Sequence, residues 1–187
     1  MIDGNIVHMQ YTMEGWILGE IVTVLFQNRN NINLGLFCKT LEEVNFFPAA
    51  SSLNKLDDEQ VVQVKPVMFL GCIEIKFGSI YYKFNKQNQQ NLGFLIVNRS
   101  WSDFLSYPPT TTITRKICLE VMEYFDSTEA IYLSDMYSYD YFYDNTSWSD
   151  IKKSLSRRFG SPANKVEDIY KEFEEHIETD GYFIEKR

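Results

Sequence analysis

A chain of 187 residues, 44% hydrophobic and 24% charged, is long enough to bury a sizeable core without disulfide or metal staples and too apolar to be disordered. Its formal charge of −8 argues against nucleic acid and for basic proteins or cations as partners. The longest apolar runs, IVTVLF and PVMFLGC, fall far short of the roughly 20 residues of a membrane span, and the opening MIDGNIVHMQ lacks the basic region of a secretory leader. The expectation is a soluble, cytoplasmic protein with no membrane association.

The first hundred residues read as strands. NIVHMQY and WILGEIVTVLFQ are apolar and β-branched, RNNIN is a polar break, and LGLFCK resumes the pattern. A short helix is expected from Leu41 to Phe46, with Thr40 and Glu43 at capping-box spacing and Pro48 closing it. Residues 49 to 59 read as a loop. VVQVKPVMFL is strand-like, and Pro66 within it points to a sheet edge or a bulge. IEIKF and IYYKF, two alternating runs joined by Gly78 and Ser79, predict a β-hairpin with a tight turn. A polar loop, NKQNQQN, then leads to LGFLIVN, a further strand.

Helical periodicity takes over after Pro108 and Pro109, where Ile113, Ile117, Val121, Met122 and Phe125 share one apolar face. A second helix is expected from Ser147, which has capping-box spacing to Asp150, and it carries Trp148, Ile151, Leu155 and Phe159 inward before Gly160 stops it. A third is expected from Ser161 and Pro162, with Val166, Ile169, Tyr170, Phe173 and Ile177 on one face. Asp180 and Gly181 turn the chain into a last strand, YFIEK. Strands first and helices after predict an α+β fold in a single domain over residues 1–187. Its mostly antiparallel β-sheet comes from the N-terminal two-thirds, with about three helices, mainly C-terminal, packed on one side.

Between the first two helices lies SDMYSYDYFYDNTSW. Read as a strand, it places Tyr137, Tyr139, Tyr141 and Tyr143 on one face and Ser138, Asp140 and Phe142 on the other. Such a tyrosine face either covers the sheet, with hydroxyls at the layer's edge, or forms a binding surface of large contact area. Charge favours looking here for a partner. Residues 1–116 hold ten acidic and ten basic side chains and residues 152–187 hold eight of each. The whole −8 therefore comes from Glu120, Glu123, Asp126, Glu129, Asp135, Asp140, Asp144 and Asp150.

Chemistry-bearing motifs are missing from the sequence. It has no G-x-S-x-G, no Walker loop and no G-x-G-x-x-G, and its histidines are only His8 and His176. Cys38, Cys72 and Cys118 are widely spaced among apolar neighbours and read as buried, reduced thiols. Asp135, Asp140 and Asp144 lack the spacing, the glycine and the terminal glutamate of an EF-hand. No catalytic residue, metal or cofactor is assigned. Lys152, Lys153, Arg157 and Arg158 follow the acidic window and read as internal counter-charges or a solvated face rather than a phosphate site.

A small acidic α+β chain with no catalytic motif and the interleaved segment SDMYSYDYFYDN resembles, in type, the immunity proteins that bacteria pair with secreted toxins. Phage inhibitors that mimic DNA with carboxylates share the profile. The resemblance implies a protein that binds a basic toxin domain, such as a nuclease, and occludes its active site. Partner-binding residues expected on this reading are Asp135, Tyr137, Tyr139, Asp140, Tyr141, Tyr143, Asp144 and Trp148. Two other classes stand beside it: an enzyme with an acidic, cation-dependent cleft using Asp135, Asp140 or Asp144, and an assembly protein whose tyrosine face is a homodimer seam.

Overall fold

The computed structural model describes residues 20–27, 66–69, 72–77, 80–85 and 92–187. The strands expected at NIVHMQY and LGLFCK, the helix at 41–46, the loop at 49–59, His8 and Cys38 lie outside the described residues. The strands β1 (Ile21–Gln27), β2 (Pro66–Phe69), β3 (Cys72–Phe77), β4 (Ile80–Asn85), β5 (Leu92–Ser100), β6 (Glu129–Ser134) and β9 (Phe183–Lys186) form a 7-stranded sheet of order β2-β3-β4-β5-β1-β6-β9. Every pairing in it is antiparallel.

The local signals explain this order. β3 and β4 pair with Phe77 opposite Ile80, so only Gly78 and Ser79 join them, as a tight hairpin requires. β2, which begins at Pro66, is the outermost described strand on its side, where a residue without an N–H donor is tolerated. β1 is a nearly unbroken apolar run because it lies between β5 and β6 and is covered on both faces. Thr23, the one polar residue among its buried positions, donates its hydroxyl to the Leu133 carbonyl at 2.8 Å.

Four α-helices occur among the described residues: α1 (Trp101–Ser106), α2 (Pro108–Tyr124), α3 (Asp135–Tyr143) and α4 (Trp148–Phe159). The prolines at the start of α2 occupy positions whose N–H groups have no helical acceptor. Ser147 caps α4 by accepting from the Asp150 amide at 3.2 Å, and Gly160 ends it at φ 81°, a left-handed conformation that favours glycine. No helix among the described residues is long and apolar enough to cross a membrane.

Two cores fill the layers. Val22, Val24, Phe26, Leu95, Val97, Ala130 and Tyr132 point to one face, where α1 and α2 supply Trp101, Phe104, Ile117, Val121 and Met122. Leu25, Phe94, Ile96, Ile131 and Leu133 point to the other, where Phe142 of α3 and Trp148, Ile151 and Leu155 of α4 cover them. The helices thus lie on both faces of the sheet and not on one. Alternation along β1, β5 and β6 requires this, since both sets of side chains are apolar. A bidentate ion pair, Arg115 to Glu185 at 2.7 and 2.8 Å, ties α2 to β9.

Besides the tyrosine segment, three elements differ from the sequence reading. The third helix does not form. Ala163 instead donates its amide to the Tyr182 carbonyl at 3.0 Å, holding the chain extended beside β9 where the helix would have begun. Val166 and Ile169 then reach the core from a single 3₁₀ turn, Val166–Ile169, and Phe173 and Ile177 project from a hairpin of β7 (Lys171–Glu172) and β8 (Ile177–Glu178). β6 and α1 also form, although their sequences EAIYLS and WSDFLS are too short to carry a periodic pattern.

Candidate functional site

The tyrosine segment is a helix, α3, and not a strand. β6 ends at Ser134, whose hydroxyl accepts from the Met136 amide at 3.3 Å and so turns the chain into helix. Helical spacing then replaces the single tyrosine face by two pairs. Ser138 and Phe142, four residues apart, point at the sheet and are fully buried, with Phe142 stacked on Phe94 at 5.1 Å. Tyr137 and Tyr141 flank this inward face on the side of α4, and Tyr139 and Tyr143 flank it on the other.

Each pair has its own partners. Tyr141 donates to the Ser154 hydroxyl of α4 at 2.8 Å. Tyr137 packs edge-on against Phe159 at 5.1 Å, lies under the Arg158 guanidinium at 4.1 Å and donates to Asp180 at 3.2 Å. Partial burial, with Asp180 beside it, raises the Tyr137 phenol above its ordinary range. Tyr139 meets Phe94 edge-on at 5.3 Å and stacks with Tyr143 at 6.2 Å, and the Tyr143 hydroxyl accepts from Lys83 at 3.5 Å.

The expected partner-binding residues therefore separate. Asp135 turns inward and accepts from the Ile21 amide at 2.9 Å, and burial pushes its carboxyl above the usual aspartate value against that hydrogen bond. Trp148, expected as a contact, is a core residue, 6% exposed, and donates its indole N–H to Glu129 at 2.9 Å. Asp140, Tyr143 and Asp144 are exposed and form the outward face of α3. Met136, one turn before Asp140, belongs to the same stripe at 64% exposure, a position that only helical spacing brings beside Asp140.

The acidic window divides in the same way. Asp126 pairs with Arg187 at 3.0 Å, Glu129 with Lys152 at 2.9 Å, and Asp150 with Lys153 at 3.2 Å. The Trp148 indole and the Lys152 ammonium hold the Glu129 carboxyl below its usual range, and the Ser147 hydroxyl with Lys153 does the same for Asp150. Lys152 and Lys153 pair with carboxylates of the acidic window as counter-charges, whereas Arg158 lies over the Tyr137 ring and Arg157 is on the exposed face of α4. Asp140 and Asp144 are exposed without an ion-pair partner among the described residues. Since Asp135 faces β1 while Asp140 and Asp144 face outward, the three aspartates do not converge. Among the described residues no three His, Cys, Asp or Glu side chains gather in a metal-holding group.

Cys118, expected to be a structural thiol, is fully buried in the first core beside Tyr132, and burial raises both groups well above their ordinary values. No protein-family model, curated protein or solved structure shows significant similarity to this chain.

Proposed function

We propose that the chain is a binding protein that inhibits a basic partner by stoichiometric occlusion, most concretely a bacterial toxin-immunity protein acting in the cytoplasm. One observation carries this reading: α3 presents outward a stripe in which exposed apolar surface, Met136 at 64% and Tyr143 at 40%, alternates with the exposed carboxylates of Asp140 and Asp144. Exposed carboxylates without an ion pair among the described residues steer a basic partner, and the apolar atoms between them supply contact area once it docks. Tyr137, Tyr141 and Trp148 then act from behind, holding α3 rigidly on α4 and the sheet so that little order is lost on binding.

Two aspects of the stripe weigh against the other classes. A homodimer seam built from two copies of α3 sets Asp140 and Asp144 against their own counterparts, and like charges in contact are unfavourable. A cation-dependent cleft would need converging carboxylates, which the geometry of α3 separates. The test is calorimetric titration of the chain with the protein encoded beside its gene, since immunity proteins are encoded next to their toxins. The reading expects a 1:1 complex, weakened about tenfold or more by M136A/Y143A and unchanged by Y141F. A neighbouring gene for a metabolic enzyme, or the absence of any complex, contradicts it.

A further inference from the structure

The exposed hairpin β7–β8 offers a second surface, at a place where the sequence predicts a buried helix face. All residues from 171 to 177 are exposed. Phe173 and Ile177, two large hydrophobic side chains, are 47% and 53% exposed. The tip is tightly closed: the Phe173 amide donates to the His176 carbonyl at 2.9 Å, and the two rings stack at 4.8 Å. Pairing of Glu172 with Ile177 and of Lys171 with Glu178 sets the register. Side chains alternate across a strand, so Phe173 and His176 lie on one face of the hairpin and Ile177 on the other.

The root of the hairpin is fixed while its tip is free. The Trp101 indole donates to the Thr179 carbonyl at 2.9 Å from one side of the sheet, and Tyr137 of α3 donates to Asp180 at 3.2 Å from the other. Val166 and Ile169 anchor the preceding 3₁₀ turn in the core. Charge completes the description. Between Lys171 and Glu178, which pair with each other at 3.1 Å, stand Glu172, Glu174 and Glu175, exposed and without an ion-pair partner among the described residues.

We infer that this hairpin is an insertion element that enters a cleft with basic walls and an apolar floor on a protein partner. Apolar side chains on both faces of a narrow, rigidly rooted projection suit a cleft with two walls better than a flat surface. Three glutamates around the tip, without an ion-pair partner among the described residues, require those walls to be basic, and they disfavour a second copy of this acidic chain as the occupant. The inference rests on the same reading of a basic partner as the α3 stripe but names a different surface, so the two can fail separately.

Two variants test it, F173S/I177S and E174K/E175K, both at exposed positions, with circular dichroism and a thermal melt confirming the fold. Against the protein encoded beside the gene, each is expected to weaken binding about tenfold or more, the charge reversal more strongly at low salt. If that protein binds the wild-type chain and neither variant weakens the complex, the hairpin proposal is overturned while the α3 reading stands. Should it not bind at all, the probe becomes a synthetic peptide of alternating lysine and leucine, titrated into the ¹⁵N-labelled chain. Amide shifts confined to 171–178 and abolished in F173S/I177S support the hairpin without the toxin reading. Shifts elsewhere, or none, overturn it.

Discussion

Phe142 and Tyr143 are adjacent aromatic residues that the structure assigns opposite fates, and replacing each by alanine tests which side of this segment meets the sheet. Phe142 is completely buried between α3 and the sheet and stacks on Phe94, whereas Tyr143 is 40% exposed on the outer face. Truncating a buried phenylalanine removes its transfer energy and leaves a cavity, about 3–5 kcal/mol in total. In a chain of 187 residues each kcal/mol lowers the melting temperature by roughly 2–4 °C, so Phe142→Ala is expected to lower it by about 6–20 °C. Tyr143→Ala loses part of a stack with Tyr139 and a long hydrogen bond from Lys83, about 1 kcal/mol or less. Urea denaturation of both variants, followed by tryptophan fluorescence, gives the two values directly. Equal losses, or a larger loss for Tyr143, would show that α3 does not face the sheet through Ser138 and Phe142.

Other consequences follow from the same geometry. Glu129→Ala strips the buried Trp148 indole of its acceptor, an expected loss of about 1–3 kcal/mol, with the Lys152 pair adding less than about 1. Because the folded carboxyl titrates below the unfolded one, the contribution of Glu129 is complete above the ordinary glutamate value and disappears as pH falls through its depressed folded value. Comparing wild type with Glu129→Gln between pH 7 and pH 3 measures this; a difference that does not shrink on acidification contradicts the assignment. Asp135 has the opposite sign: its folded carboxyl titrates above the unfolded one, so its ionisation opposes folding above both values. Asp135→Asn, which keeps an acceptor for the Ile21 amide, is therefore expected to leave the urea midpoint at pH 7 unchanged or higher. A β-carbon at Gly181 would meet Ile169 Cγ2 at 3.1 Å and Cγ1 at 3.3 Å with φ at 156°, so Gly181→Ala is expected to cost about 1–3 kcal/mol by thermal melt.

Where side-chain period and turn chemistry agreed, the elements were legible in the sequence. The β3–β4 hairpin, Pro66 at the outermost described strand, the apolar face of α2 and the Ser147-to-Gly160 limits of α4 all occur as expected. Alternating tyrosines misled because period 2 in identity is not period 2 in burial. The inward residues of α3 are Ser138 and Phe142, and the tyrosines divide on either side of them. In the 166–177 segment the apolar spacing is helical, but the chain pairs beside β9 through Ala163, and of the apolar residues beyond Ile169 only Tyr170 packs against the core while Phe173 and Ile177 are exposed. Charge was legible in total and not in use. The fold spends three carboxylates of the acidic window on ion pairs and turns Asp135 inward, while a flank that counts as neutral separates into a basic α4 and an acidic hairpin.

The proposal that the outward face of α3 captures a basic partner is tested most directly by association kinetics. With the neighbouring gene's product immobilised, the account predicts that D140K/D144K slows association at least about tenfold at 50 mM salt, with the difference from wild type largely gone at 0.5 M. An association rate that D140K/D144K leaves unchanged at low salt would contradict it.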